Sequence, residues 1–457
     1  MTENKLKFSG PAAGALRDLL AGEARERLET LLAGHAGSWP GSAQDMPNAQ
    51  ATPAEFPSGF VTGGRAGPRG APQFELRAGP DDEGTATGRL VLDLAACLPG
   101  ADLPVRAARR LGQAALGELP AFEVGLRPIG DTAAGLSWLD GPVPAALVDL
   151  VLAGRAPEPW SPGLRLTGLG CIAEVEWWAG VLADDAAGAP AAVTLGIDTV
   201  AAVIEAETWL DRLGTRVTAL CWDRWASLRS ILQRFRGDPL RLLPDLAELD
   251  GAARCQRAWG LRVIGVAAER GLAAIAPVLS ARHDGADRGL RAGLERLLRD
   301  GYDVLAAADP AGLEQAREVV AGLAGATGEA CDRGERPLLI GVDLLHVPTG
   351  KITEAGLRAS LRTALAGWQA WRAGRAFAEV DGQRVGRSRV ALAADQLWQA
   401  RRHETGVLDD GRIVDRALFE RLLDEEQAAT GRVEAAEALS RHVLADELSG
   451  EFPLAAG

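Results

Sequence analysis

The chain has 457 residues, 47% of them hydrophobic and 24% charged, with a formal net charge of -13. This is ordinary globular composition, with room for roughly two or three domains and a core that needs no covalent staples. The acidic balance argues against nucleic acid as the main partner, because a phosphate binder needs a basic face. The five cysteines (Cys97, Cys171, Cys221, Cys255, Cys331) are scattered without a CxxC pair. They read as reduced thiols, not as a disulfide framework or a zinc site. No apolar run reaches the roughly 18 residues of a membrane span, and "MTENKLKFSG" carries no apolar signal core. No membrane partner is expected, and the expected location is the cytoplasm.

The chain opens with leucines at helical spacing (Leu16, Leu19, Leu20, Leu28, Leu31, Leu32) and continues through a Gly/Pro-rich segment over 36–72. From position 88 short β-like runs alternate with helical ones. "RLVLDLAACL", "FEVGLRP", "LRLTGLG", "AVTLGID", "RVTALCW", "LAAIAPV" and "YDVLAAADP" are each followed or flanked by helix-forming sequence. Strands alternating with helices imply parallel strands and crossover helices. So many units in one stretch favour a (β/α)8 TIM barrel over an open doubly wound sheet, which stays open as an alternative. After about Lys351 the sequence is all-helical. "ITEAGLRASLRTALAGWQAWRAG" puts Leu357, Leu361, Leu365, Trp368 and Trp371 on one stripe, with Thr353 as N-cap and Gly374 as stop. Further helical runs are expected around Arg389–Arg401, Asp415–Ala428 and Val433–Leu448. The expected organisation is an N-terminal helical and irregular clasp (1–87), a barrel (88–345) and a C-terminal helical plug (346–457).

In a parallel barrel the functional face lies at the C-terminal ends of the strands. That rule selects Arg127 after "FEVGL", Asp198 after "VTLGI", Asp223 after "VTALC" and Asp309 after "YDVLAAA". Two carboxylates on neighbouring strand ends can hold Mg2+, and an arginine can stabilise an oxyanion. Such a set suits a small 2-oxo acid. Each residue also has a structural reading. Asp198 can cap a helix starting near Val200. Asp223 can pair with Arg224 or Arg229, and Arg127 can sit in a salt bridge. On spacing alone the structural roles rank ahead.

Several segments, in one order, resemble the malate synthases. "FEVGLRPIG" is similar to that family's arginine motif. "AEVEWWAGVLADDAAGAP" resembles the helix before its metal-binding strand, and "VTLGIDTVAAVIEAETWLDRLGTRVTALCWDRWASLRSILQRF" resembles its central segment. "GYDVLAAADPAGLEQAREV", "ITEAGLRASLRTALAGWQAWRAG", "DQLWQARRH" and "LDDGR" continue the series, which runs from about Leu90 to Glu425. The resemblance implies a TIM barrel with an N-terminal clasp and a C-terminal helical plug. It implies a Mg2+-dependent Claisen condensation of acetyl-CoA with glyoxylate to malate, a step of the glyoxylate cycle. Acyl-CoA and a 2-oxo acid are then the implied partners.

Carried over by position, the family's catalytic arginine falls on Arg127 and its metal glutamate on Asp198. Its metal aspartate falls on Ala226, with Asp223 as the nearest acid. Its base aspartate falls on Gly386, with Asp381 as the nearest substitute. Leu94–Cys97 ("LAAC") replaces an acidic run, and Ala273 stands where the family has histidine. Retained framework with substituted chemistry leaves three readings: a divergent malate synthase using Arg127, Asp198 and a substitute acid; a pseudoenzyme that binds a ligand or protein partner; or a lyase acting on another 2-oxo acid. His283, His346, His403 and His442 never cluster at ligand spacing. Trp177, Trp178, Trp222 and Trp225 read as core, and "GRSR" with Arg384 as a basic loop that could meet an anion.

Overall fold

The computed structural model describes residues 72–78, 89–93, 121–126, 161–184, 192–249, 254–278, 287–327, 341–373, 375, 377–448 and 452. The leucine-rich and Gly/Pro-rich N-terminal runs, Gly374 and His283 lie outside them. The first strand, β1 (Gln73–Ala78), precedes position 88, where the alternating pattern becomes legible. Then come β2 (Arg89–Asp93), β3 (Ala121–Leu126) and β4 (Ser161–Leu166). The units that follow are α1 (Ile172–Asp184), β5 (Ala192–Gly196), α2 (Val200–Leu213), β6 (Val217–Cys221) and α3 (Arg224–Arg234). They continue with α4 (Arg254–Glu269), β7 (Ala273–Ala274), α5 (Asp287–Asp300), β8 (Val304–Ala307) and α6 (Pro310–Thr327).

The eight strands form one sheet in the order β7-β6-β5-β4-β3-β2-β1-β8, and every neighbouring pair is parallel. This is an α/β fold, as the alternation predicts. The two ends of the order also meet. Ile275, just past β7, bridges Val304 in parallel. Asp303 N donates to Ala274 O at 2.9 Å and Ala276 N to Val304 O at 2.8 Å.

Strand parity sorts the sheet into two faces. Val193, Leu195, Leu220 and Leu305 pack outward with Trp209, Leu228 and Ile264 of the helices. Ala219, Cys221, Ile275, Val304 and Ala306 form a separate cluster on the other face. That face also buries Glu75 of β1 and Arg165 of β4, joined at 3.0 and 2.6 Å in a bidentate pair. Three strand spacings in a flat sheet put β1 and β4 about 14 Å apart, so this pair requires a strongly curved sheet. Cys255 is fully buried, and desolvation pushes its thiol up to about 12, so it stays protonated at neutral pH.

The C-terminal part is built on α7 (Glu354–Arg372) and α8 (Arg387–Arg402), followed by α9 (Arg416–Thr430) and α10 (Val433–Leu444). Thr353 caps α7 as expected, accepting from Gly356 N at 2.9 Å, and the predicted stripe from Leu357 to Trp371 is buried. Between α7 and α8 stands an antiparallel hairpin, β9 (Phe377–Val380) and β10 (Gln383–Gly386), which the helical reading missed. The signal for it is Asp381-Gly382, a dipeptide that favours a two-residue hairpin turn with both φ positive. The observed φ values are 48° and 72°.

The helix α8 ties this part to the sheet. Asp395, wholly buried on α8, accepts from Arg229 Nε of α3 at 2.7 Å and lies 2.9 Å from His442 Nε2 of α10. The connection after α3 is bound to α8 through its backbone. Leu243 N donates to Gln399 Oε1 and Gln399 Nε2 to Arg241 O, each at 3.0 Å. Gln396 Nε2 donates to Pro244 O, and His403 Nε2 lies 2.7 Å from Arg236 O. Replacing Asp395 by alanine takes a buried carboxylate away from Arg229 and His442, and losing one partner of a buried pair costs about 3–5 kcal/mol. We expect Asp395→Ala to lower the urea midpoint accordingly, with α3 and α10 losing hydrogen-exchange protection together.

Candidate functional site

The strand ends of β4, β5 and β6 converge on Asp198. Pairing continues past β5, since Ile197 N donates to Cys221 O at 2.8 Å. Position 198 therefore shares the parity of Thr194 and Gly196 and falls on the inner face. Asp198 is 4% exposed. Its Oδ1 accepts from Asp223 N at 2.7 Å and its Oδ2 from Gly168 N at 3.3 Å. One carboxylate thus links the loop after β4 to the end of β6. Gly196 makes room for this, because a Cβ there would lie 2.6 Å from Asp198 Oδ2. The helix cap is not Asp198 but Thr199, which accepts from Ala202 N at 3.2 Å and donates to Leu169 O at 2.7 Å.

Asp223 caps α3. Its Oδ1 accepts from Trp225 N at 2.8 Å and from Ala226 N at 3.0 Å. This differs from the expected pairing with Arg224 or Arg229, because an aspartate one residue before a helix finds unpaired N–H groups at hand. Asp309 does the same for α6, accepting from Gly312 N at 2.7 Å. Asp381 occupies the hairpin turn, exposed, and accepts from Arg362 Nη2 at 3.1 Å. Arg127 lies outside the described residues; the strand before it ends at Leu126.

Sequence reasoning read Trp222 and Trp225 alike, and the structure separates them. Trp222 is buried, and its indole N–H donates to the Tyr302 hydroxyl at 2.8 Å; burial raises that phenol, which stays neutral. Trp225 is half-buried and stacks with two guanidiniums. Arg224 lies 4.4 Å and Arg389 5.1 Å from its ring centroid. Arg389 belongs to the first turn of α8, so the start of α8 meets the first turn of α3 just past β6. Positions 226 and 386 are 160 residues apart in sequence by their numbering. Trp225, next to position 226, and Arg389, three residues after position 386, are in contact.

Magnesium binding asks for several free oxygen donors on one octahedral centre. Here the Asp198 and Asp223 carboxylates each hold two backbone N–H groups. Position 226 offers a methyl group. Among the described residues no three His, Cys, Asp or Glu side chains are grouped to share a metal ion. These residues do not fit a magnesium site.

Comparison with known proteins adds a direction. The glyoxysomal malate synthase of Zea mays is 31% identical over 281 residues, 57% of this chain and 50% of that protein. Malate synthase A of Escherichia coli K12 is 27% identical over 273 residues, 55% of this chain and 50% of that protein. The chain is a homologue of malate synthases. It spans about half the length of the curated malate synthases it matches, and no protein-family profile matches it. Among solved structures, a Haloferax volcanii malate synthase described as a pyruvate/acetyl-CoA ternary complex covers 81% of this chain and 98% of its own. It is 13% identical, with a TM-score of 0.48. RipC from Yersinia pestis covers 55% of this chain and 94% of its own, at 19% identity and a TM-score of 0.35. No described helix is long and apolar enough to cross a membrane.

Malate synthase homology therefore comes with a rim whose described acids serve the backbone. Asp198→Ala leaves the Gly168 and Asp223 N–H groups unpaired, at about 1–3 kcal/mol each. Asp223→Ala removes a helix cap worth about 0.5–2 kcal/mol. Chemical denaturation in EDTA is expected to show both losses, with Asp198→Ala the larger and neither restored by added Mg2+.

Proposed function

We propose that this chain is a malate-synthase-type (β/α)8 barrel that keeps the family's opening but not its magnesium-dependent condensation. Closure of the barrel is supported by the Ile275–Val304 bridge and by the Glu75–Arg165 pair reaching across the inner face. The helical part from position 346 onward acts as the plug, with α8 packed on α3 just past β6. The clasp assigned to residues 1–87 shortens at its end, because β1 from Gln73 belongs to the sheet. Arg127, the residue after β3, is assigned to the same rim as Asp198 and Asp223.

The observation that carries this reading is the use made of the two acids. Asp198 and Asp223 spend their carboxylates on four N–H contacts that hold strand ends and a helix start. Both oxygens of Asp198 and Oδ1 of Asp223 carry these contacts, and position 226 adds no oxygen to the set that an octahedral Mg2+ draws on. Asp381, paired with Arg362 in an exposed turn, does not supply a replacement. The function is then binding of a small acidic ligand, of the 2-oxo acid or acyl-CoA class, without condensation.

The test is free thiol release from acetyl-CoA with glyoxylate and Mg2+. We expect none above the uncatalysed background, because loss of an acid–base group alone costs about 10²–10⁴ in rate. Turnover that depends on Mg2+ and disappears in Asp198→Ala overturns the proposal.

A further inference from the structure

We propose that residues 445–452 form a releasable strap, which ties the C-terminal end of α8 to both apolar cores and whose release frees α8 to tilt away from α3 and the strand ends. The strap acts on the opening from outside and does not depend on what binds there. It begins where α10 stops. That helix ends at Leu444, and Ala445 leaves it in extended conformation, with φ -60° and ψ 145°. The last carbonyls of a helix have no partner within it. Here α8 serves them. Arg401 donates through Nε to Val443 O at 3.0 Å, and through Nη2 to Val443 O at 2.6 Å and Ala445 O at 2.8 Å. Trp398 Nε1 donates to Ala445 O at 2.9 Å, and Arg402 Nε to Asp446 O at 3.1 Å. Every donor lies within Trp398–Arg402, so the chain leaving α10 is fixed to that end of α8.

The chain then crosses between cores. Leu448 packs against the cluster that joins the sheet to its helices, while Phe452 is fully buried in the cluster of the C-terminal helices. The Phe452 ring centroid lies 5.4 Å from that of His442, whose Nε2 is 2.9 Å from Asp395 Oδ1. Phe452 thus backs the imidazole that, with Arg229, flanks the buried carboxylate of α8. Residues 445–448 form no helix or strand, and Asp446 and Glu447 are exposed. A segment with little regular structure, held by two apolar anchors, opens at lower cost than the helices it ties. The other end of α8 carries Arg389 against Trp225 in the first turn of α3. A helix of 16 residues is about 24 Å long and passes a tilt at one end to the other.

Hydrogen exchange on the full-length protein tests the strap. In Phe452→Ala and in Leu448→Ala the amides of α10, α8 and α3 are expected to exchange at least tenfold faster, with β5 and β6 as in the wild type. Phe419→Ala opens a comparable cavity in the same cluster from α9. It is expected to loosen α9 and leave α3 unchanged. If Phe452→Ala loses its melting transition, Phe452→Leu and Leu448→Ala carry the same expectation. Exchange of α3 unchanged in the strap variants, acceleration spread evenly over the strands, or equal loosening of α3 by Phe419→Ala overturns the proposal and leaves Phe452 as ordinary core.

Discussion

The buried carboxylate of Asp395 is the contact on which the relation between sheet and helices depends. It is wholly shielded from water and faces Arg229 of α3 on one oxygen and His442 of α10 on the other. A buried charge is tolerated only when its partners are in place, so the three helices cannot slide independently. The contact fixes α8 against α3, and α3 begins at Asp223. The same packing sets where the α8 N-terminus, with Arg389, meets Trp225 of α3. Gln396 and Gln399 of α8, and His403 just after it, then hold the backbone of residues 236–244. That connection has little regular structure of its own, and its polar groups are satisfied from outside.

The same economy governs the strand ends. A carboxylate near a helix start or a chain crossing meets N–H groups that no carbonyl reaches. In this chain Asp198, Asp223 and Asp309 all take up that work. The parallel sheet sets the strand ends side by side, but the local bonds decide what each acid is available for. Beside these acids, two guanidiniums lie against the Trp225 ring. A planar cation on an aromatic ring keeps its charge in a half-buried place, where an ammonium would hold more tightly to water.

Much of the fold was legible. Alternation of β-like and helical runs gave parallel strands, because apolar periodicity reports which faces are covered. The stripe Leu357–Trp371 and the Thr353 cap are found where leucine spacing and N-cap chemistry put them. The strand at Gln73–Ala78 was missed, since Glu75 occupies an inward position normally apolar and its partner Arg165 is 90 residues away. The hairpin Phe377–Gly386 is not legible either, although Asp381-Gly382 is a turn signal, because its strands are four residues each and carry little apolar alternation. Asp198 was placed on the correct end of its strand, but its two amide partners belong to other loops and no spacing announces them.

The sequence by itself determined the α/β class, the helical C-terminal part, the Thr353 helix cap and the kinship with malate synthases, because these depend on local periodicity and on ordered motifs. The tertiary structure alone decided that Asp198 and Asp223 serve backbone amides, that Asp395 joins three helices, and that Arg224 and Arg389 share one indole. The physical reason is range. Caps and periodicity act within a few residues, whereas the partner of a buried charge or a stacked cation is chosen by how distant segments pack.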